Sequence, residues 1–374
     1  MYKSGLIRLL YSDGIHDVLH HYNIARLNYV QKQVTDKLYV QFIDFKPFCK
    51  MPPTQIQYMQ QPLYNDLRVA INLLVKSMRQ PNVSLVEDLQ MPVLSKHITQ
   101  LKRYEAILDT YYKVLYGLNM KLDVTIMPHI ANAQLLASQP NAAQPLQSTP
   151  LEQEVDAIFV DKIDYDFLAA NSSSEQSLSS SLSPKMKIIE TQSSYPTDFY
   201  YSSYDIGKID NKELFTPPFK GAVLGGTFDR IHPGHKVLLS MAALLCSEYM
   251  EIGVTDNTIL KSKKYSELIA PFQERSDITY KFMKHLNPYV EYNMLRLLEP
   301  YANTKVSNRL EVIIVSPETK NTALHINEER VKNNLKPLEI YEITYFDGVD
   351  QGSDFKLSSS YLRELDYNKL QNNK

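Results

Sequence analysis

The sequence predicts an α/β protein: a C-terminal doubly wound parallel sheet preceded by a smaller N-terminal α/β domain. Strand-like and helical patterns alternate regularly after residue 215, and Ser-rich segments divide the chain near residue 200. The 374 residues are also enough for two domains that each bury a core. Repeated strand, helix, strand order predicts a parallel sheet, and right-handed crossovers then determine its topology.

The N-terminal region contains four strand-like segments, at residues 6–10, 38–43, 122–127 and 158–160. Residues 67–78 and 98–115 carry apolar side chains at helical spacing. We therefore expect an α/β domain in residues 1–165, whose role the sequence does not indicate.

Two segments after these strands have a composition typical of disorder. Residues 131–150 are rich in Ala, Gln, Ser and Pro, and eight of the thirteen residues 172–184 are Ser. Such segments lack the apolar content that offsets the entropy of ordering. We expect a Ser-rich disordered linker over residues 166–215.

The C-terminal region, residues 216–374, has the most regular pattern. Strand-like runs occur at residues 221–224, 250–255, 290–297, 310–316 and 338–346. Helical patterns occur between them at residues 235–247, 273–285 and 322–333. Ligands of such sheets bind beyond the carboxyl ends of the strands, so we expect the functional site at that edge.

Charge and cysteine content exclude several classes of partner. The formal net charge is −2 with both signs interspersed, so we expect neither a nucleic-acid nor a membrane partner. The only cysteines, Cys49 and Cys246, fit neither a disulfide framework nor a zinc site. The longest near-apolar run, 237–246, is half a bilayer span, and the N-terminus lacks a signal-peptide core. We expect a cytoplasmic protein.

Four of the eleven glycines lie within the fourteen residues 221–234, between a strand and a helix. Glycine allows unusual torsions and close approach of the main chain to a ligand, and the N-terminus of the helix offers free N–H groups to phosphate. An ordinary strand-to-helix turn would use glycine too. His232 and His235, one helical turn apart, favour the phosphate site, because two imidazoles there can donate to a phosphoryl group. A metal site is the rival interpretation, but the sequence offers no third ligand nearby.

The segment Gly225–His235 resembles the GTFD and HxGH signature of the HIGH-type nucleotidylyltransferase superfamily. The resemblance implies a Rossmann-like domain that transfers a nucleotidyl group without a covalent intermediate. It assigns His232 and His235 to catalysis at the attacked α-phosphate. It assigns ATP binding to the loop residues Gly225, Gly226, Thr227, Phe228 and Asp229.

A run of lysines, Lys261, Lys263 and Lys264, follows the second strand of this region. Such a run is commonly a solvated surface. By resemblance, one lysine after this strand contacts the phosphate undergoing transfer. We favour Lys263 as catalytic and keep Lys261 as an ATP-binding candidate.

A serine element occurs near the C-terminus, at Ser358, Ser359 and Ser360, with Arg363 one turn later. Serines there could simply cap a helix. Three hydroxyls at a helix start, with a guanidinium, also suit the β and γ phosphates. The run resembles the ISSSxxR element of the superfamily's adenylyltransferases, whereas its cytidylyltransferases resemble RTEGISTT. The resemblance therefore favours ATP as the donor.

Further segments resemble the archaeal and eukaryotic phosphopantetheine adenylyltransferases, at residues 253–256, 260–261, 271–275, 315–319 and 326–330. The likeness extends from about residue 220 to residue 363 and is similar to the adenylyltransferase part of bifunctional coenzyme A synthases. It makes Ser316, Glu318 and Arg330 candidate ATP contacts. Because GxxxxGK[ST] is absent from the sequence, we expect a monofunctional enzyme without a dephospho-coenzyme A kinase.

The resemblance implies transfer of adenylate from ATP, with Mg2+, to 4'-phosphopantetheine, which yields dephospho-coenzyme A and diphosphate. Transfer to nicotinamide or flavin mononucleotide is the alternative reaction. The chain could instead act as a scaffold for coenzyme A pathway enzymes. A separate dephospho-coenzyme A kinase is an expected partner.

Overall fold

The computed structural model describes residues 1–11, 16–44, 93–119, 121–127, 154–160, 185–189, 217–299, 302–344 and 357–372. The predicted helix at residues 67–78 and the predicted disordered segments at 131–150 and 172–184 lie outside these ranges. The described residues form two five-stranded sheets, and each pairing within them is parallel. The predicted α/β class is confirmed.

The first sheet contains all four N-terminal strands that the sequence predicts. Its strands are β1 (Tyr2–Tyr11), β2 (Val34–Asp44), β3 (Asp123–Met127), β4 (Ala157–Val160) and β5 (Met186–Ile188). They lie in the order β3-β2-β1-β4-β5. Helix α1 (His16–Val30) follows β1, and α2 (Val93–Leu118) precedes β3 and includes the predicted helix at 98–115.

Strand β5 lies inside the 166–215 segment that the sequence predicts as a disordered linker. For Met186–Ile188 that prediction is wrong, because these residues pair with β4 and complete the sheet edge. Three residues are too few for a periodic pattern to reveal a strand. The proposed boundaries at 165 and 216 stay predictions, since residues 161–184 and 190–216 are not described.

The second sheet follows the predicted alternation. Its strands are β6 (Phe219–Gly226), β7 (Cys246–Thr255), β8 (Glu291–Leu297), β9 (Val312–Val315) and β10 (Glu339–Glu342). The helices are α3 (Pro233–Leu245), α4 (Phe272–Leu286), α5 (Lys320–Lys332) and α6 (Ser359–Asn372). Their sheet has the order β10-β9-β6-β7-β8, so β6, which ends at the glycine corner, is central.

Helix α3 ends earlier than the sequence predicts. Residues 246 and 247 were expected in the helix but begin β7, where Cys246 pairs with Phe219. The Ser247 Oγ donates to the Phe219 carbonyl at 3.0 Å, which fixes this start. The last strand is also shorter than the predicted 338–346, since β10 ends at Glu342.

Helix α2 joins the two sheets. One hydrophobic cluster continues from the first sheet through α2 to α3 and the second sheet. The buried Glu105 of α2 accepts hydrogen bonds from Tyr341 Oη at 2.7 Å, from Lys102 Nζ at 2.8 Å and from the Thr344 N–H. The carboxylate of Glu339 in β10 also accepts hydrogen bonds from the first two N–H groups of α2, at 2.8 and 2.7 Å. The two sheets therefore share one core.

Over the ranges that are described, the helices lack the combination of length and apolar character that a membrane crossing needs.

Candidate active site

The glycine corner connects the central strand to α3. Strand β6 ends at Gly226, and α3 begins at Pro233 with His232 as its N-cap residue. Proline suits the first helical position because its fixed φ fits the helix and no N–H is lost from a bond there. The loop between them lies at the carboxyl end of the sheet, where the sequence predicts the site.

The unusual torsions in this loop belong to Phe228 and Arg230, each with φ of 49°. Gly225 and Gly226 remain in the strand and pair with Gly253 and Val254. Glycine is used here for space: a Cβ on Gly226 would lie 3.0 Å from the buried Phe228 ring. Of the two uses that the sequence offers for glycine, unusual torsions do not apply to Gly225 and Gly226, because neither has a positive φ.

His232 and His235 lie side by side at the start of α3. Their ring centroids are 4.1 Å apart, and the Phe228 ring lies 5.7 Å from that of His235. Burial lowers the pKa of His235 to about 4, although a hydrogen bond with the Arg230 main chain and the Asp229 charge oppose this effect. His235 is therefore neutral at pH 7. Within the described part of the chain, its buried Nδ1 makes no hydrogen bond.

Lys263 reaches the corner from the loop after β7. Its Nζ donates to Thr227 Oγ1 at 2.9 Å. Desolvation and then the nearby positive charge of Arg363 lower the pKa of Lys263, while Asp229 and Glu318 raise it. Lys261 is exposed, and Lys264 pairs instead with Glu364 at 2.8 Å. Of the three lysines, Lys263 is the one whose Nζ contacts a residue of the Gly225–His235 segment, Thr227.

Arg363 of α6 is buried against the corner, only 1% exposed. Its Nη1 donates to the equally buried Asp229 at 2.9 Å, its Nη2 to Ser360 Oγ at 2.9 Å and its Nε to the Lys264 carbonyl at 3.0 Å. These bonds join the loop after β6, the loop after β7 and α6. Arg363 and Asp229 thus hold these two loops and α6 together. Their contact with ATP stays a prediction.

The serine element lies beside Asp229. Ser358 Oγ accepts from the Tyr361 N–H at 3.2 Å, the capping interaction that a serine at a helix start makes. Ser359 Oγ donates to the Asp229 carbonyl at 2.6 Å, and Ser360 accepts from Arg363. The structure therefore brings all three predicted hydroxyls to the corner, while their contact with phosphate stays a prediction.

Ser316 and Glu318 lie at the same edge, directly after β9. Ser316 forms a reciprocal capping box with Thr319. The carboxylate of Glu318 is near enough to raise the pKa of Lys263. Both residues thus have the location that the sequence predicts.

Arg330 does not reach this edge, so its prediction as an ATP contact is a mistake. Its buried guanidinium donates to the carbonyls of Thr304 at 2.6 Å, Ser307 at 2.8 Å and Lys336 at 3.0 Å, which precede β9 and β10. Helix α5 runs back antiparallel to β9, so its last turn lies at the amino edge of the sheet. Arg330 closes loops at that opposite edge.

Arg275 is a residue of the site that sequence reasoning did not select. It is 1% exposed, and its guanidinium donates to the carbonyls of Thr227, Thr255 and Ala270 and to Asn257 Oδ1, at 2.5–2.9 Å. It thereby fixes the loops after β6 and β7 relative to each other. A signal was available, because Arg275 ends a segment that resembles the phosphopantetheine branch, but its carbonyl partners are invisible in a sequence.

The imidazoles of His232 and His235, a lysine ammonium and the N-terminus of α3 thus converge at one end of the central strand. Such a set of donors can stabilise negative charge that develops on a phosphoryl group. No cluster of three His, Cys, Asp or Glu side chains that could hold a metal occurs among the residues described.

Comparison with known proteins agrees with this geometry. The family described as cytidylyltransferase-like matches residues 223–365. A phosphopantetheine adenylyltransferase of Pyrococcus furiosus is 37% identical over 145 residues, which are 39% of this chain and 88% of the relative. One of Pyrobaculum aerophilum is 35% identical over 147 residues, with 39% and 92% of the two chains covered.

A phosphopantetheine adenylyltransferase of Saccharomyces cerevisiae is 34% identical over 148 residues, which are 39% of this chain. The chain spans about half of that yeast relative, 48% of its length. The archaeal relatives, in contrast, are matched over most of their length. Because these archaeal relatives are 35–37% identical to this chain over most of their length, the chain belongs to the phosphopantetheine adenylyltransferase family.

Proposed function

We propose that this protein transfers adenylate from ATP to 4'-phosphopantetheine, forming dephospho-coenzyme A and diphosphate. The observation that carries the proposal is the meeting of His232 and His235 with the Lys263–Thr227 pair at the carboxyl end of β6. Relatives named phosphopantetheine adenylyltransferase supply the acceptor.

In this reaction an oxygen of the acceptor phosphate attacks the α-phosphorus of ATP. The bond from that phosphorus to the oxygen bridging to the β-phosphate breaks, and diphosphate leaves with the electron pair. The attacking phosphate is already an anion, so no protein base is needed. Positioning and charge stabilisation supply the rate: His232 and His235 donate to the α-phosphate, and Lys263 neutralises charge.

Ser316, Glu318 and Ser358–Ser360 are our proposed contacts for the rest of ATP. Mg2+ that accompanies ATP would take phosphate oxygens and water as ligands, and would neutralise charge on the leaving diphosphate. Such an ion would be carried by the nucleotide, because the described residues offer no cluster of three metal-ligating side chains. We further propose a cytoplasmic location and a dephospho-coenzyme A kinase as the consumer of the product.

An acceptor assay tests the proposal. The full chain is mixed with ATP, Mg2+ and one of three acceptors, namely 4'-phosphopantetheine, nicotinamide mononucleotide or flavin mononucleotide, and diphosphate release is followed. We expect release only with 4'-phosphopantetheine, with dephospho-coenzyme A identified by its mass. Release with a mononucleotide in preference would overturn the acceptor. No release with any of the three would favour the scaffold alternative.

A further inference from the structure

The residue directly after His235 is a buried lysine whose charge belongs to the other sheet. The Lys236 side chain is only 7% exposed. Its Nζ donates to Asp123 Oδ1 and to the Val124 carbonyl, both at 2.5 Å. Both acceptors lie in β3 of the first sheet. A buried ammonium is costly without such partners, so this contact constrains where α3 can lie.

The two ends of the contact differ in exposure. The Asp123 side chain is 51% exposed at the rim, where Lys37 Nζ of β2 approaches it to 3.6 Å. Burial lowers the pKa of Lys236, and Asp123 opposes that shift. Lys37 and Lys236 therefore share one carboxylate, but only Lys236 is attached to the helix that carries the histidines.

Helix geometry connects this contact to the site. Consecutive residues of an α-helix are separated by about 100° around its axis and about 1.5 Å along it. Holding Lys236 towards β3 therefore fixes the direction in which His235 points. The Lys236 N–H also donates to the His232 carbonyl at 3.0 Å, which closes the first turn over the N-cap histidine.

This contact involves a part of the chain outside the family match. The match begins at residue 223, whereas β3 lies before it. Helix α2 of the N-terminal region packs against the same helix α3 and supports it from that side.

We propose that Lys236 and Asp123 are positioning residues, through which the first sheet sets the orientation of the turn that carries His232 and His235. The proposal rests on the transfer activity proposed above. Neither residue touches a substrate; each acts through the histidines.

The first test is Lys236→Met in the full chain. This change keeps most of the side-chain volume and removes the charge and both hydrogen bonds. We expect kcat to fall about tenfold with KM for ATP changed less than about twofold, because misplacement of a catalytic group affects the reaction step. Lys236→Arg should restore most of the rate. Lys37→Met is the matched control, which removes the other lysine from Asp123 and should leave kcat within about twofold.

A double-mutant cycle separates positioning from general weakening. If Lys236 acts through His235, adding Lys236→Met to His235→Ala should lower kcat less than about twofold further. Effects that simply multiply would overturn the proposal, and so would an unchanged kcat in Lys236→Met. Should Lys236→Met fail to fold, Asp123→Asn at the exposed end serves instead. There we expect a loss of about threefold, and no loss would overturn the proposal.

A wild-type protein without turnover would refute the proposed function but would not decide the positioning role. Hydrogen exchange decides it in that case. We expect the amides of residues 235–238 to exchange about tenfold faster in Lys236→Met and unchanged in Lys37→Met. Equal exchange in the two variants would overturn the positioning role.

Discussion

At the scale of single residues, burial determines the protonation of His235. Its pKa is lowered to about 4, so at neutral pH the ring is an uncharged donor beside His232. A neutral imidazole donates from one nitrogen only. The buried His235 Nδ1 makes no hydrogen bond within the described part of the chain.

The lowered pKa predicts how stability depends on pH. The folded pKa of about 4 lies below the ordinary value of 6.5, so the unfolded chain binds a proton that the folded chain does not. The contribution is complete above pH 6.5 and is lost as the pH falls towards 4. Between pH 7 and pH 5, wild type should lose about 2 kcal/mol more unfolding free energy than His235→Asn. Urea titrations at both pH values measure this, and equal losses would refute the buried neutral histidine.

Some residues of the site could be predicted from the sequence and others could not. The histidines and Thr227 stand in a motif between a predicted strand and a predicted helix, and Lys263 was selected by resemblance. Arg275 acts through carbonyls of distant loops, which no pattern of side chains reveals. Asp229 and Arg363 were predicted as ATP contacts, but the salt bridge between them depends on how α6 docks.

At the scale of elements, the close approach of β6 to the segment before β9 depends on Gly221. A Cβ there would lie 1.7 Å from the Arg309 carbonyl oxygen, a distance that no repacking of side chains relieves. Gly225, four residues along the same strand, has its nearest neighbours at 3.6 and 3.7 Å. A side chain is therefore excluded at Gly221 but has room at Gly225.

Gly221→Ala should lower the unfolding free energy by about 3 kcal/mol or more, because the main chains must separate. Gly225→Ala, as the matched control, should lower it by less than about 1 kcal/mol. Chemical denaturation at pH 7 compares them. Similar losses in both variants would show that the steric argument is incorrect.

Most elements follow from periodicity. Helix α1 and strand β5 were not predicted, and the remaining errors lie at the ends of elements. The boundary of α3 at Leu245 is set by pairing of β7 with β6, which periodicity does not encode. The misplacement of Arg330 has a similar cause. Its segment was correctly predicted as a helix, but the helix carries its last turn to the amino edge of the sheet.

At the scale of the whole molecule, the two sheets have the same topology. The strands of each half can be numbered from its own first strand. The first sheet, read from β3, and the second sheet, read from β8, then both have the order 3-2-1-4-5. The glycine corner follows β6 of the second sheet.

The docking of the halves predicts a large effect of Glu105. Glu105→Ala leaves Tyr341, Lys102 and the Thr344 N–H without their shared acceptor, and should cost about 3 kcal/mol of unfolding free energy. Asp109→Ala, one turn along α2 at a partly exposed ion pair, should cost about 0.5 kcal/mol or less. Urea unfolding followed by circular dichroism measures both. A Glu105 variant as stable as the Asp109 variant would contradict a shared core.

This docking could not be predicted from the sequence. The composition indicated two α/β regions, but Glu105 and Tyr341 are 236 positions apart and each looks ordinary in its own segment. The sequence did not indicate a role for the first region. In the structure its strand β3 contacts α3, the helix that carries the histidines.

The most direct measurement is turnover of His235→Ala with ATP and 4'-phosphopantetheine, alongside wild type and His325→Ala. The control removes an exposed histidine of α5, 60% exposed in its side chain. If the corner stabilises the transferred phosphate, kcat of His235→Ala should fall by about a hundredfold or more, while ATP affinity changes less than about threefold. His325→Ala should match wild type. Near-normal turnover of a folded His235→Ala variant would contradict adenylyl transfer at this corner.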